Sequence, residues 1–418
     1  MTIPYVKRGK LSNGLQYFNH EESYLPLAKI RIAFHGGGTA VPPDKAGAIV
    51  LLYDYLVSSQ DALLVEFDKI GTTPVFYVDE NGSAIDVTVN STDIEKAFEL
   101  LSKMLRKPQF DQVLFERVKF KHIAGVSESR RSPGESAKAA LVRSIYGAEH
   151  PLGTLRTDTF EWLQSAKIED LNHVYDWYTG PRDIAVITTG RISDNQAHML
   201  CQSFFGDWRS DADPAESIPK AIAVNQGQHF FVARANLQKA YVALGGHGAS
   251  LGDNDEYAFQ MAARVLSDRL GRLFHHNNSF CSTEAEIHMF KRTGYYSMAC
   301  SIDRGQTWQA ALDIASAEFV SAMDYVDGAR MPYFRSSEAW NIVNSFRSLH
   351  GVIENISSIY WNDLPDDYYI KSLEKINHVT LSDVERALHE YFRKDQIHVV
   401  VVGDPSPARR NTKRLQSP

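Results

Sequence analysis

Two runs of β-branched residues stand out along the chain. Ile184-Ala185-Val186-Ile187-Thr188-Thr189 ends on Gly190, and Ile397-His398-Val399-Val400-Val401-Val402 ends on Gly403. Both predict buried strands. A helical stretch precedes each, from Ile168-Glu169-Asp170-Leu171 through Tyr178, and from Leu381-Ser382-Asp383-Val384 through Tyr391. Thr380 or Ser382 is suited to cap the second helix. Asp170, Tyr178, Ile184 and Gly190 recur 213 positions later as Asp383, Tyr391, Ile397 and Gly403. Self-similarity at a fixed offset signals an internal duplication.

The duplication extends upstream. Lys29 to Phe34 is strand-like, and a Gly/Pro loop and a helix near Gly47 to Ser58 follow it. Ala240 to Leu244 is strand-like, and a Gly-rich loop and a helix near Glu256 to Arg269 follow it. Ile85 to Val89 alternates with the period of a strand, whereas Asp93 to Arg106 places Ala97, Leu100, Leu101 and Met104 on one helical face. The order in the first half is strand, strand, helix, helix, strand, strand, helices, strand. It predicts an α+β fold of two homologous domains, each a mostly antiparallel sheet with helices packed on it. Domains over 1–210 and 229–418 are expected, joined by a polar linker over 211–228 that opens with Asp211-Ala212-Asp213-Pro214.

Composition adds limits. At 418 residues the chain exceeds one ordinary core, and 44% hydrophobic with 23% charged residues is a globular composition. A net charge of −7 argues against nucleic-acid or anionic-membrane partners. Cys201, Cys281 and Cys300 follow no zinc or disulfide spacing, which fits reduced thiols in the cytoplasm. The N-terminal segment, Met1 to Leu15, has no long apolar run, and no export route is expected. There is no Gly-x-Ser-x-Gly elbow and no phosphate loop. Gly36-Gly37-Gly38 and Gly245-Gly246 read as equivalent structural turns, while His150, Tyr146, His288, Glu284 and the adjacent His275-His276 read as packing or surface residues.

Several segments resemble peptidases of the M16 (pitrilysin/insulinase-like) zinc family. They are Leu11-Ser12-Asn13-Gly14-Leu15, Gly36 to Thr39 through Asp44-Lys45-Ala46-Gly47, Glu66 to Gly71, Ala97 to Leu101, Tyr146-Gly147, and His150-Pro151-Leu152-Gly153. In the second half they are Leu237 to Tyr241 and Arg272-Leu273-Phe274. The resemblance implies two domains facing each other like a clamshell around a peptide chamber, with short M16 chains pairing to complete it.

Active members carry His-x-x-Glu-His on a helix. Two His at four-residue spacing grip zinc, the Glu polarises water, and a distant Glu completes the ligands. The aligned positions here are Val50, Tyr53 and Asp54, and the distant ligand falls on Gly125, with Glu128 a less favoured shifted candidate. Valine and glycine offer no ligand atom, and tyrosine is a poor base near neutral pH. No metal or cofactor is therefore expected in this chain.

The resemblance implies a non-catalytic subunit that completes the chamber for a second M16 subunit bearing an intact motif and the zinc. The alternative is a peptide-binding or scaffold homodimer without protease activity. A zinc-less subunit of this kind often holds substrate with an Arg/Tyr pair in its second domain. His275 to Phe280 lacks that pair, which leaves Arg292, Tyr295 and Tyr296 as substitutes, although the two tyrosines also suit a strand with one ring on each side. Peptide binding along a sheet edge is implied at Pro74, Val75, Phe76 and Tyr77, where Pro74 suits an edge or protects it.

Overall fold

The computed structural model describes residues 3–58, 61–106, 108–154, 156–209, 226–276, 286–303, 326–404 and 413–414. The first half opens with β1 (Lys7–Lys10), β2 (Gln16–Glu21) and β3 (Leu27–Phe34), then α1 (Ala48–Ser58), α2 (Asp61–Lys69), β4 (Val75–Val78) and β5 (Ser83–Asn90). Helices α3 (Ile94–Arg106), α4 (Gln112–Arg131), α5 (Pro133–Tyr146), α6 (Arg156–Ser165) and α7 (Ile168–Tyr178) lead to β6 (Ile184–Gly190) and α8 (Asp194–Phe205). The second half runs β7 (His229–Ala233), β8 (Lys239–Gly248), α9 (Glu256–His276), β9 (Glu286–Met289) and β10 (Gly294–Asp303). It continues with α10 (Met331–Ser345), α11 (Leu349–Trp361), α12 (Tyr368–His378), α13 (Leu381–Tyr391), β11 (His398–Gly403) and β12 (Lys413–Arg414).

Each half builds one six-stranded sheet, in the orders β1-β2-β6-β3-β5-β4 and β12-β7-β11-β8-β10-β9. The strands flanking the centre are antiparallel, while β2 runs parallel to β6 and β7 parallel to β11. The α+β class and the duplicated plan read from the sequence are both present.

Local chemistry explains the recurring residues. The Asp170 carboxylate accepts the Lys167 backbone N–H at 2.8 Å, and Asp383 accepts that of Thr380 at 2.9 Å. Both stabilise a free N–H at a helix start. Thr380 is the cap, its hydroxyl accepting the Asp383 N–H at 3.2 Å. Gly190 has φ +111°, and a Cβ there would lie 2.3 Å from the Leu27 carbonyl oxygen, so only glycine fits.

One expectation needs correcting. Gly245 and Gly246 are not turn residues; they lie within β8, opposite Ser297 and Tyr296. A Cβ on Gly245 would sit 2.1 Å from the Tyr296 carbonyl oxygen, and one on Gly246 would sit 3.1 Å from its hydroxyl. The missing side chains make room for a neighbouring strand and its ring.

The packing units also depart from the contiguous domains 1–210 and 229–418. One unit comprises Met1–Ala124, Thr159–Ser217 and Asn341–Ile370; the other comprises Gly125–Asp158, Ile218–Trp340 and Lys371–Pro418. Most of the expected linker over 211–228 lies outside the described residues, which resume at 226.

The cause is a reciprocal exchange of helices between the halves. In the first unit, β6 is buried at every residue. Helix α11 covers one face, packing Val352, Ile353, Ile356, Tyr360 and Trp361 on Phe18, Ala33, Ala84, Ala185 and Ile187. On another side of the core, Phe34 meets Tyr53 of α1 with ring centroids 4.4 Å apart. In the second unit, α5 sets Ala137, Leu141, Ile145 and Tyr146 against Ala243, Tyr295, Val400 and Val402. Tyr296 instead meets Phe259 of α9 and Phe392 after α13. A strand apolar on both faces needs a helix on each, because each buried aliphatic side chain is worth about 1.5–3 kcal/mol. Here one covering helix of each sheet comes from the opposite half of the sequence.

Candidate functional site

Helix α1 carries the motif positions. It follows Gly47, whose φ is +90° and whose Cβ would sit 2.6 Å from the Thr159 methyl group. The helix is unusually buried: Ala48, Ile49, Leu51, Leu52, Tyr53, Asp54, Tyr55 and Leu56 all avoid solvent. Val50 is half-buried.

Asp54 is the one position of the four with an acidic ligand group, and it is already engaged. Its carboxylate lies 2.9 Å from His122 Nε2 and 3.0 Å from Lys121 Nζ, both on α4. Burial pushes its pKa up, but the bonds from His122 and Lys121 outweigh burial and hold it below the usual carboxylate range. An imidazole and an ammonium thus stand around the carboxylate. Tyr53 is 1% exposed, and burial raises its pKa well above the ordinary phenol value, so it is no base near neutral pH. A Cβ on Gly125 would meet no heavy atom within 4 Å, and Glu128 is exposed. These residues do not fit a catalytic zinc: a single ion-paired carboxylate replaces two imidazoles, a base and a carboxylate.

A second polar cluster lies on the same sheet, in a place the motif search passed over. Arg31 of β3 is 1% exposed. It donates to Asp86 of β5 through Nε at 2.6 Å and Nη2 at 2.8 Å, to Glu354 at 2.6 Å and to Ser357 at 3.0 Å, the last two on α11. Lys29 adds a 2.8 Å contact to Asp86. Among the described residues, Asp86, His350 and Glu354 form the one set of three side chains whose ligand atoms lie within 4.8 Å of one another. Arg31 already occupies the cation position between both carboxylates, and Lys29 completes charge balance, so this set is an ion network and not a metal cage. The sequence held a signal for it: Lys29, Arg31 and Asp86 interrupt otherwise apolar strands.

The expected sheet edge exists. Strand β4 ends its sheet and pairs with β5 along one side. Pro74 is buried just before the strand, where its missing N–H costs no ladder bond. Val75 is 61% and Tyr77 41% exposed, while Phe76 is half-buried. Tyr77 stacks on Trp361 at 6.3 Å, and the Arg31 guanidinium lies 5.8 Å from the Tyr77 ring centroid. Its hydroxyl donates to Asp79 at 3.2 Å. Burial pushes the Asp79 pKa up to about 6, against the backbone N–H bonds from Gly82 and Asn81.

The second-half candidates separate. Arg292 is exposed in the turn between β9 and β10. Tyr295 and Tyr296 are 5% and 0% exposed and face opposite sides of β10. Tyr295 stacks on His288 at 4.4 Å and lies 5.9 Å from Tyr146, whereas Tyr296 lies 4.4 Å from Phe392. Both rings are core, because helices cover both faces of this sheet; neither is placed to grip a peptide. The side chains of Arg272 to His276, and all of Asn277 to Phe280, lie outside the described residues. Tyr146 and His150 are packing residues, stacked at 4.7 Å.

The profile of the family described as Peptidase M16 inactive domain matches residues 165–327. That match spans less than half of the chain, so it marks residues 165–327 as similar to an M16 inactive domain. A curated relative, the Non-peptidase homolog YmxG of Helicobacter pylori, is 24% identical over 183 residues. That alignment spans 42% of this chain and 42% of the relative. Solved structures extend the likeness in fold to nearly the whole chain. A protease from Helicobacter pylori superposes with TM-score 0.84 at 14% identity, covering 96% of this chain and all of that one. A peptidase M16 inactive domain from Pseudomonas fluorescens gives 0.82 at 14% identity, over 99% of this chain and 100% of that one. A chain of Complex III2 from Candida albicans gives 0.81 at 15% identity, with 96% of each covered. With Val50, Tyr53, Asp54 and Gly125 at the motif positions, this chain has no zinc centre of the His-x-x-Glu-His type.

Proposed function

We propose that this M16 homologue is the non-catalytic member of a two-chain peptidase, completing a peptide chamber for a partner that bears the intact motif and the zinc. The carrying observation is the replacement of the metal ligands by Val50, Tyr53 and the ion-paired Asp54 within an otherwise retained M16 fold. A fold kept at this length without its ligands has use as a wall and a docking surface. Strand β4 supports a direct part in substrate handling, since an exposed edge offers N–H and C=O groups to an extended peptide. In this reading Val75, Phe76 and Tyr77 run beside the peptide, and Arg292 is left as the one exposed candidate in the second half.

The test is reconstitution. Purified alone, the chain binds no stoichiometric zinc and cleaves no peptide; mixed with a zinc-bearing M16 chain, it raises peptide hydrolysis in a chelator-sensitive way. Chelator-sensitive cleavage by the isolated chain would refute the proposal. The second reading, a scaffold without protease activity, draws on the fold likeness to a chain of Complex III2. A homodimer that stays inactive with every zinc-bearing M16 chain supports it. We place the protein in the cytoplasm, consistent with the free, buried thiol of Cys201; Cys281 lies outside the described residues. Among the described residues no single helix is long and apolar enough to cross a membrane.

A further inference from the structure

Tyr53 occupies the motif's base position, yet its surroundings are polar in an unusual way. Tyr53, Thr179 and Tyr360 are 1%, 2% and 3% exposed. Their three hydroxyl oxygens are fully buried; none makes a well-aligned hydrogen bond to the protein, although Ser83 and Thr179 stand near enough to Tyr53 to interact with it. They come from α1, the residue after α7, and α11, all within the first unit.

The three share one neighbourhood. Ser83, Thr179 and Asp183 face Tyr53, and Asp183 with Tyr53 faces Tyr360. Asp183 is itself 1% exposed. The His35 backbone N–H donates to the Asp183 carbonyl at 3.0 Å, and the His35 ring lies 5.2 Å from that of Tyr360. His35 Nδ1 is a fourth buried atom without a partner. Ser83 cannot serve the group fully, because its hydroxyl donates to the Gly36 carbonyl at 2.7 Å.

Buried hydroxyls without partners are rare, and where they converge an internal water commonly supplies the missing bonds. We propose that Tyr53, Thr179 and Tyr360 enclose a structural water cluster that ties α1 and α11 to the sheet. Each hydroxyl donates one bond and accepts others, which matches the roughly two to four bonds an internal water makes. In this arrangement the position that polarises a water in active M16 peptidases instead anchors water as part of the core.

A thermal double-mutant cycle tests it, with Tyr53→Phe, Tyr360→Phe and the pair. Bridging water predicts that each single change lowers Tm by about 2–4 °C. The pair then loses clearly less than the sum, because the two hydroxyls share the same water. A rise in Tm on hydroxyl removal, or strict additivity, overturns the proposal. So does a wild-type Tm that tracks sodium or potassium concentration and ceases to do so in the pair, which would mean a cation in place of water. If Tyr53→Phe does not fold, Thr179→Val with Tyr360→Phe gives the same cycle.

Discussion

The layer between sheet and exchanged helix is built in two ways in the two units. Under α11 an ionic network is set beside the apolar contacts: Arg31, Asp86 and Glu354 are locked together, with Lys29 alongside. Under α5 the added contacts are aromatic: His150 stacks on Tyr146 and His288 on Tyr295, Tyr146 meets Tyr295 edge-on, and the Tyr146 and Thr293 hydroxyls lie 3.1 Å apart. The duplicated plan thus fixes where a covering helix lies and leaves the chemistry of contact free. An ionic layer is intolerant, since removing one member strands a buried charge. An aromatic layer degrades in small steps, since each ring has several partners.

The largest expected effect tests that intolerance. Asp86→Ala leaves the Arg31 guanidinium and Lys29 short of a counter-charge, and should cost about 3–5 kcal/mol in urea denaturation. A loss under 1 kcal/mol would show that the network contributes little specificity. Next is a charge the second unit does not balance. His398 begins β11 at 1% exposure, and burial, with His247 and His229 nearby, pushes its pKa down to about 4. A depressed imidazole pKa means that the unfolded chain binds the proton first. The stability is therefore complete above the ordinary value near 6.5 and is lost as pH falls toward 4. The loss amounts to about 3 kcal/mol. Denaturation midpoints measured across that window should fall for the wild type, and His398→Gln should flatten this part of the profile.

Smaller changes sharpen the comparison. Tyr146→Phe removes one hydroxyl from the aromatic layer and should cost about 1 kcal/mol; a loss as large as that of Asp86→Ala would erase the distinction drawn here. The repeated helices α7 and α13 differ at the cap, Lys167 against Thr380, and only Thr380 offers a side-chain bond to the helix. Thr380→Ala should lose about 1 kcal/mol, and Lys167→Thr should gain up to about as much. Equal and null effects on Tm would mean that capping is carried by Asp170 and Asp383 alone.

Much of the site was legible as residue identity. Val50, Tyr53, Asp54 and Gly125 already disqualify a catalytic zinc, because ligand chemistry is a property of side chains. The edge strand at Val75 to Tyr77 was expected from the M16 resemblance, with Pro74 suited to an edge. The tyrosines of β10 were not legible: Tyr295 and Tyr296 alternate as one ring in and one ring out would, and only the second helix layer buries both. Lys121 and His122 carried no visible link to Asp54, since partners on different helices leave no spacing to read.

The sequence by itself determined the duplication, the α+β class and the central buried strands, which rest on local periodicity and side-chain chemistry; the lack of zinc ligands at Val50, Tyr53 and Gly125 is what the M16 resemblance implies. Only the tertiary structure decided which helix covers which sheet. An amphipathic helix records that it has an apolar face and not what that face meets, so the exchange of α5 and α11 appears once long-range packing selects it. The same holds for Arg31 and for the buried hydroxyls of Tyr53, Thr179 and Tyr360. Their environments are assembled from segments up to 326 residues apart, as in the bond from Arg31 to Ser357.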